Sequence, residues 1–297
     1  MYPQILLLGN GINRTYESNG WGDLIKKLSC NPRIDPEIIK DVAYPLQVVL
    51  ATGDKMDSQI KENKELFYGL QSIEQERPLL ESVLRIPFDH ILTTNYSYEI
   101  ERVANEKVGA DGKYCRRFAR NLKGKEQVEK KYLLHSYNDI SFKEHNHKIW
   151  HIHGEARKPQ SIVLGHYYYG KLLSMYIDTL SKRENKQFER QCAGEEPLIE
   201  SWLDAFVMGD VYVLGLSFDY SEMDLWWLIN RKKREKAQHG KLYFYEPSQD
   251  NEIKHSLLEA YDAKIERLGF NTKPVNYEQF YRCAIEDIRD KVLCSKE

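Results

Sequence analysis

The residues of this chain best suited to chemistry stand where apolar runs end. Gly9-Asn10-Gly11 closes the run 5–8, Thr93-Thr94-Asn95 closes 88–92, and His153-Gly154 closes 148–152. Gly215-Leu216-Ser217 closes 210–214, and Glu246 closes 241–245. Paired glycines let backbone amides approach an anion such as a phosphate with no β-carbon in the way. A histidine titrates near neutrality and can accept a proton; an asparagine supplies a donor and an acceptor without adding charge. Each stretch also has a plain alternative. Gly9 and Gly11 fit an ordinary strand-to-helix turn, Asn95 and Ser217 fit helix caps, and His153 fits a hydrogen-bonded core histidine. The set matters more than its members, because open parallel sheets take their ligands at the carboxyl ends of the strands.

The elements that must carry these turns alternate in type. Apolar runs at 4–8, 88–95, 148–154, 161–165, 210–217, 241–246 and 273–277 read as strands, with a short one at 132–135. Helical patterns fill 21–28, 98–103, the long charged stretch up to Phe206, 221–235 and 278–293. Such alternation implies a doubly wound, parallel, Rossmann-like α/β sheet. Between the first two strands, Ile38, Val42, Leu46, Val49 and Leu50 recur at helical steps, so residues 35–85 read as an inserted helical lobe within a single domain spanning 1–297. A dinucleotide-binding dehydrogenase would place a strand ending in an acid about 20 residues past the glycines. Here that region is Cys30-Asn31-Pro32-Arg33-Ile34-Asp35-Pro36, and two prolines make it a poor strand.

Composition narrows the class further. Forty-three basic against 45 acidic residues leave a net charge of −2, so no bulk charge draws the chain to nucleic acid or a membrane. The five cysteines are scattered and never in CxxC spacing, which implies neither a disulfide framework nor a zinc ribbon. Without a basic leader or a run of spanning length, a soluble cytoplasmic protein is expected. His145, His147, His151 and His153 invite a metal reading, but no carboxylate or cysteine is spaced to complete a ligand set, so no metal is expected. Arg231-Lys232-Lys233-Arg234 reads as the solvated end of a helix. Of the adjacent Trp226 and Trp227, one reads as core and the other as available to an interface. The run Tyr167-Tyr168-Tyr169 fits a pocket wall or packing on the sheet.

The ordered set Gly9-Asn10-Gly11-Ile12-Asn13, Thr93-Thr94-Asn95-Tyr96, His153-Gly154 and Gly215-Leu216-Ser217 resembles the sirtuin superfamily, and more closely its bacterial sirtuin-like NAD hydrolase branch. The Gly-x-Ser followed by an acid, Asp219 or Asp224, is part of that resemblance. Sirtuin deacylases carry a four-cysteine zinc ribbon that this chain cannot build, and their Thr-Gln-Asn-Ile-Asp motif ends in an acid where this chain has Ser97. The resemblance implies NAD as the substrate, with Asn95 and His153 catalytic. It assigns Gly9, Gly11 and Ser217 to the pyrophosphate and neighbouring ribose and Glu246 to the adenosine ribose, with Asn10, Thr93 and Gly215 also among the residues that bind NAD. Asn13 and the Trp21-Gly22-Asp23 segment fall over the nicotinamide end, with Asp23 equally readable as a first-turn helix acid.

The chemistry so implied is spare. Nicotinamide leaves NAD as a neutral molecule from a cationic pyridinium, so no general acid is needed. The enzyme supplies ribose positioning and stabilisation of an oxocarbenium-like centre. Asn95 orients water and a ribose hydroxyl, and His153 accepts a proton. Relatives in the branch act in antiphage defence by depleting NAD, which implies restraint until infection. Only about fifty residues follow Glu246, so that restraint is expected from homo-oligomerisation or a partner such as an ATPase subunit. The alternatives are an NAD-dependent deacylase or ADP-ribosyltransferase, and a non-catalytic module that senses NAD or ADP-ribose.

Overall fold

The computed structural model describes residues 1–297 except 17–19, 31–34, 36–38, 40, 110–111, 113–116, 119–131, 184, 248–250, 269–274 and 297. The first half holds β1 (Gln4–Leu8), α1 (Trp21–Leu28), α2 (Tyr44–Thr52), α3 (Met56–Glu62), α4 (Arg77–Leu84), β2 (His90–Thr93) and α5 (Glu99–Ala104). There follow β3 (Arg117–Phe118), α6 (Tyr132–His135), β4 (Ser136–Phe142), β5 (His145–His151), α7 (His166–Ser181), α8 (Lys186–Cys192) and α9 (Trp202–Met208). The chain continues with β6 (Asp210–Leu214), α10 (Met223–Lys233), β7 (Leu242–Glu246), α11 (Glu252–Ala260), β8 (Ala263–Arg267) and α12 (Tyr277–Lys296).

The sheet order is β3-β4-β5-β2-β1-β6-β7-β8. β1 pairs in parallel with β2, Leu6 opposite Ile91, and with β6, Leu6 opposite Tyr212. β5, β7 and β8 extend the parallel part, while β4 and β3 form an antiparallel edge. Every residue of β1 is buried, as a parallel strand covered on both faces requires. Its alternate side chains serve opposite layers. Ile5 and Leu7 enter a core with Leu92, Trp150, Val213 and residues of α7, α9 and α10. Leu6 and Leu8 enter a second with Ile91, Tyr212 and residues of α4, α5 and α12. This is the doubly wound α/β arrangement that the alternation implied.

A third cluster joins Ile25 and Leu28 of α1, Val48 and Ala51 of α2 and Ile60 of α3 to Tyr98, Ala156, Ile162 and Leu164. It stands over the carboxyl ends of the strands, where Trp21, Leu24, Tyr44 and Phe67 share a cavity with the strand-end turns. The remaining helix before β2, α4, packs on the second core instead.

Several local expectations change. Residues 132–135 form one helical turn, and 162–164 belong to no strand, although the Val163 N–H donates to the His153 carbonyl at 2.8 Å. β4 was missed because polar Ser136 and Asn138 occupy two of its four buried positions, which hides the two-residue alternation. Its hairpin to β5 turns at Lys143-Glu144, with Lys143 at φ 55° and no glycine to mark it. Of the strand expected at 273–277, residues 273–274 lie outside the described residues, 275–276 are irregular and Tyr277 opens α12; the last strand is β8. Lys232 is not solvated. It is buried, and its Nζ donates to the carbonyls of Phe206, Val207 and Gly209 at 3.1, 2.9 and 2.6 Å, capping α9; burial lowers its pKa to about 7. Trp226 and Trp227 are both half-buried against the first core. Among the described residues no helix is long and apolar enough to cross a membrane.

Candidate active site

A cavity of about 470 Å³ opens where β1, β2, β5, β6 and β7 end, within the usual size of small-molecule and cofactor clefts. Of the residues singled out in the sequence, Asn10, Gly11, Asn95, His153, Gly215, Ser217 and Glu246 line it. Gly9, Asn13, Asp23 and Thr93 do not.

The glycine turn works differently from the expectation of bare amides facing an anion. The Gly9 and Gly11 N–H groups donate to the carbonyls of Leu214 and Gly215 at 3.0 and 2.8 Å. A β-carbon on Gly9 would collide with the Gly215 carbonyl, and one on Gly11 with the Tyr281 hydroxyl and the same carbonyl. The glycines are therefore required by the contact between the β1 and β6 turns, with Gly215 itself at φ 68°. Asn13 lies behind the turn, its Nδ2 donating to Asn10 Oδ1 at 3.1 Å. Arg14, which sequence reasoning passed over, is the cation lining this end of the cavity. Asp23 is exposed; its Oδ2 accepts the Gly20 N–H at 3.3 Å and caps α1.

Asn95 sits on a braced turn. Thr93 Oγ1 donates to the Leu8 carbonyl at 2.9 Å and accepts the Asn95 N–H at 3.1 Å. His151 Nδ1 meets the Asn95 carbonyl oxygen at 2.7 Å, and its Nε2 meets Glu101 Oε1 at 2.9 Å. Both partners are acceptors, so both ring nitrogens carry protons and the buried imidazole is a cation. Burial alone would depress its pKa, but the charge and hydrogen bond of Glu101, helped by Glu155 and the Asn95 carbonyl, carry it up to about 9. Asn138 Nδ2 donates to Glu101 at 2.8 Å and completes the brace.

His153 lies two residues past β5, in a turn closed by Gly154 at φ 93°, where a β-carbon would collide with the Ser161 carbonyl. His153 Nε2 bonds Asp224 Oδ2 at 2.9 Å, and Tyr176 donates to the same oxygen at 3.3 Å. Asp224, not Asp219, is thus the acid that reaches the histidine; Asp219 accepts from Ser221 at 2.8 and 2.6 Å instead. Burial pulls the His153 pKa down, but the Asp224 charge and hydrogen bond, then Glu222, raise it above the ordinary value. With Nε2 committed to Asp224, the nitrogen left for chemistry is Nδ1. Tyr169 stands edge-on to the ring at 5.4 Å between centroids. The other histidines of the run go elsewhere, His147 meeting the Leu84 and Phe88 carbonyls at 2.9 and 3.2 Å. Among the described residues no three His, Cys, Asp or Glu side chains are grouped to hold a metal.

At the far end Glu246 accepts from Lys254 Nζ and pairs with His255 Nε2, while Arg267 lies 3.2 Å from His255 Nδ1. Lys254 Nζ also donates to the Ser217 carbonyl at 3.3 Å, tying the β6 and β7 turns together. Lys254 and Glu222, both lining the cavity, were missed because each reaches it from the start of a helix after the strand-end motif.

A SIR2-like domain model matches residues 89–265, more than half of the chain. The chain belongs to the SIR2-like family, whose domains use NAD, and membership implies an NAD-related activity. The matched span holds the Asn95, His153, Ser217 and Glu246 turns and begins after the Gly9–Gly11 turn. No curated protein matches the chain.

Proposed function

We propose that this protein is an NAD glycohydrolase. The bond between C1′ of the ribose and the nicotinamide nitrogen breaks with its electron pair going to the ring, which departs neutral. Water supplies the oxygen of the new C1′–O bond and loses one proton. Asn95 orients the water and a ribose hydroxyl, and His153 takes the proton at Nδ1. Asp224 fixes the tautomer by holding the Nε2 proton and stabilises the imidazolium that forms, a division of labour familiar from His–Asp pairs. Asn10, Gly11, Arg14 and Ser217 face the pyrophosphate; Glu246, held by Lys254 and His255, faces the adenosine ribose. Gly9, Thr93 and Asn13 brace the turns from behind.

The observation that carries this reading is the meeting of Asn95 and the His153–Asp224 pair, from separate strands and a helix, at one cavity on the carboxyl edge of the sheet. The scattered cysteines weigh against a zinc-ribbon deacylase. We further read the protein as an antiphage effector that depletes NAD and is restrained by self-assembly or by a partner such as an ATPase subunit. In the test, Asn95→Ala abolishes nicotinamide release while NAD titration still shows binding. Turnover equal to that of the unaltered protein would remove Asn95 from the mechanism.

A further inference from the structure

Glu222 is the acid of this cavity that the mechanism above does not use. It begins α10 and lines the cavity beside His153, Tyr96 and Tyr169. The residue keeps part of its surface toward that space, but its Oε2 is shielded from solvent and, among the described residues, meets no hydrogen-bond partner. A buried carboxylate survives on donated hydrogen bonds or an adjacent cation. The groups around Glu222 are Tyr44 from α2, Tyr96 after β2, His153 after β5, Tyr169 from α7, and Asp219 and Asp224 on its own connection and helix. His153 is the group among these that can gain positive charge, and its Nε2 is already committed to Asp224. The two aspartates repel a further negative charge.

We propose that Glu222 works as an uncharged carboxylic acid that donates a hydrogen bond to a neutral oxygen of the bound nicotinamide nucleoside, either its amide carbonyl or a ribose hydroxyl. This rests on the NAD reading of the cavity. The shielded oxygen that no group donates to fits the uncharged form, with the proton on the carboxyl's other oxygen toward the cavity that the residue lines, since an unmet buried group costs about 1–3 kcal/mol and a charged one more. Burial, joined by the neighbouring Asp224 and Asp219 and opposed by His153, lifts the carboxyl to about 8, so the acid form prevails at neutral pH. An uncharged group there also avoids stabilising the pyridinium of the ground state, whose charge must leave the ring during reaction.

The test has two arms on the full-length protein, with folding of each variant checked by circular dichroism. In the first, difference infrared spectroscopy across pH, without nucleotide, shows a protonated carboxyl at pH 7 that is lost in Glu222→Gln; its absence from the unaltered protein overturns the proposal. In the second, KM for NAD is followed from pH 6 to 10. The unaltered protein loses affinity about tenfold per pH unit above 8, Glu222→Gln keeps a neutral donor and shows no such loss, and Glu222→Ala binds at least tenfold more weakly than Glu222→Gln throughout. A folded Glu222→Gln protein as impaired as Glu222→Ala would make the carboxylate the working form and end the proposal. If the unaltered protein shows the carboxyl signal but neither binds nor cleaves NAD, it is the NAD reading that has failed, and the donor role toward NAD falls with it.

Discussion

The imidazolium of His151 makes a quantitative prediction. It is wedged between the Asn95 carbonyl and Glu101, and its pKa of about 9 exceeds the 6.5 of an unfolded histidine. A group whose folded pKa is raised stabilises the fold fully below its unfolded pKa and loses that contribution as pH rises through the folded value. Here the window runs from pH 6.5 to about 9, and the contribution lost across it is on the order of 3 kcal/mol. Urea unfolding at pH 6, 7.5 and 9.5 measures it. His153 titrates in the same direction, and Glu222 also loses stability with rising pH up to about 8, so the comparison must be with a double variant, His151→Gln with Glu101→Gln, which retains both. The unaltered protein should lose about 3 kcal/mol more than that variant between pH 6 and 9.5. Nicotinamide release should fall in the same range, because deprotonation at Nδ1 would set two acceptors face to face and loosen the Asn95 turn. Equal pH dependence in the two proteins would show that His151 is not the cation the geometry requires.

Three other outcomes follow from the same structure. Gly154→Ala forces a side chain onto φ 93° and into the Ser161 carbonyl; the unfolding free energy should drop by about 3 kcal/mol, and a change below about 0.5 would contradict the strain argument. Asp224→Asn should cut kcat at least about a hundredfold with KM little changed. Because burial is then opposed by Glu222 alone, the acidic limb of the pH–rate profile should move to lower pH; an unmoved limb would separate Asp224 from the titration. Lys254→Met removes the tie between Ser217 and Glu246, and KM for NAD should rise about tenfold while kcat holds, as steady-state kinetics would show.

The parts legible in the sequence were those whose residues answer to one demand. Beyond their first residues β1 and β6 are buried on both faces, so 5–8 and 211–214 are continuously apolar and the turn that ends each stands out. Ser217 was visible for that reason, while Asn95 and His153 stand after shorter apolar stretches, Ile91-Leu92 and Ile149-Trp150. Edge strands answer to solvent as well. β8, Ala263-Lys264-Ile265-Glu266-Arg267, carries three charged residues among five and offers no apolar run to mark a strand. The lobe was legible as helices, but not its third wall, because Ala156, Ile162 and Leu164 join it from far along the chain, beyond β5. The same distance hid the partners of the site. Nothing local pairs His153 with Asp224 across 71 residues, or His151 with Glu101 across 50. The glycines were noticed for a permissible reason, anion approach, while the packing of two turns against each other was the requirement.

The most direct measurement is chromatography of NAD incubated with the purified protein over a range of protein concentrations, beside the His153→Ala variant. The account predicts nicotinamide and ADP-ribose in equal amounts from the unaltered protein, and none above background from the variant. Intact NAD at every concentration, or products from the variant at the unaltered rate, would contradict it.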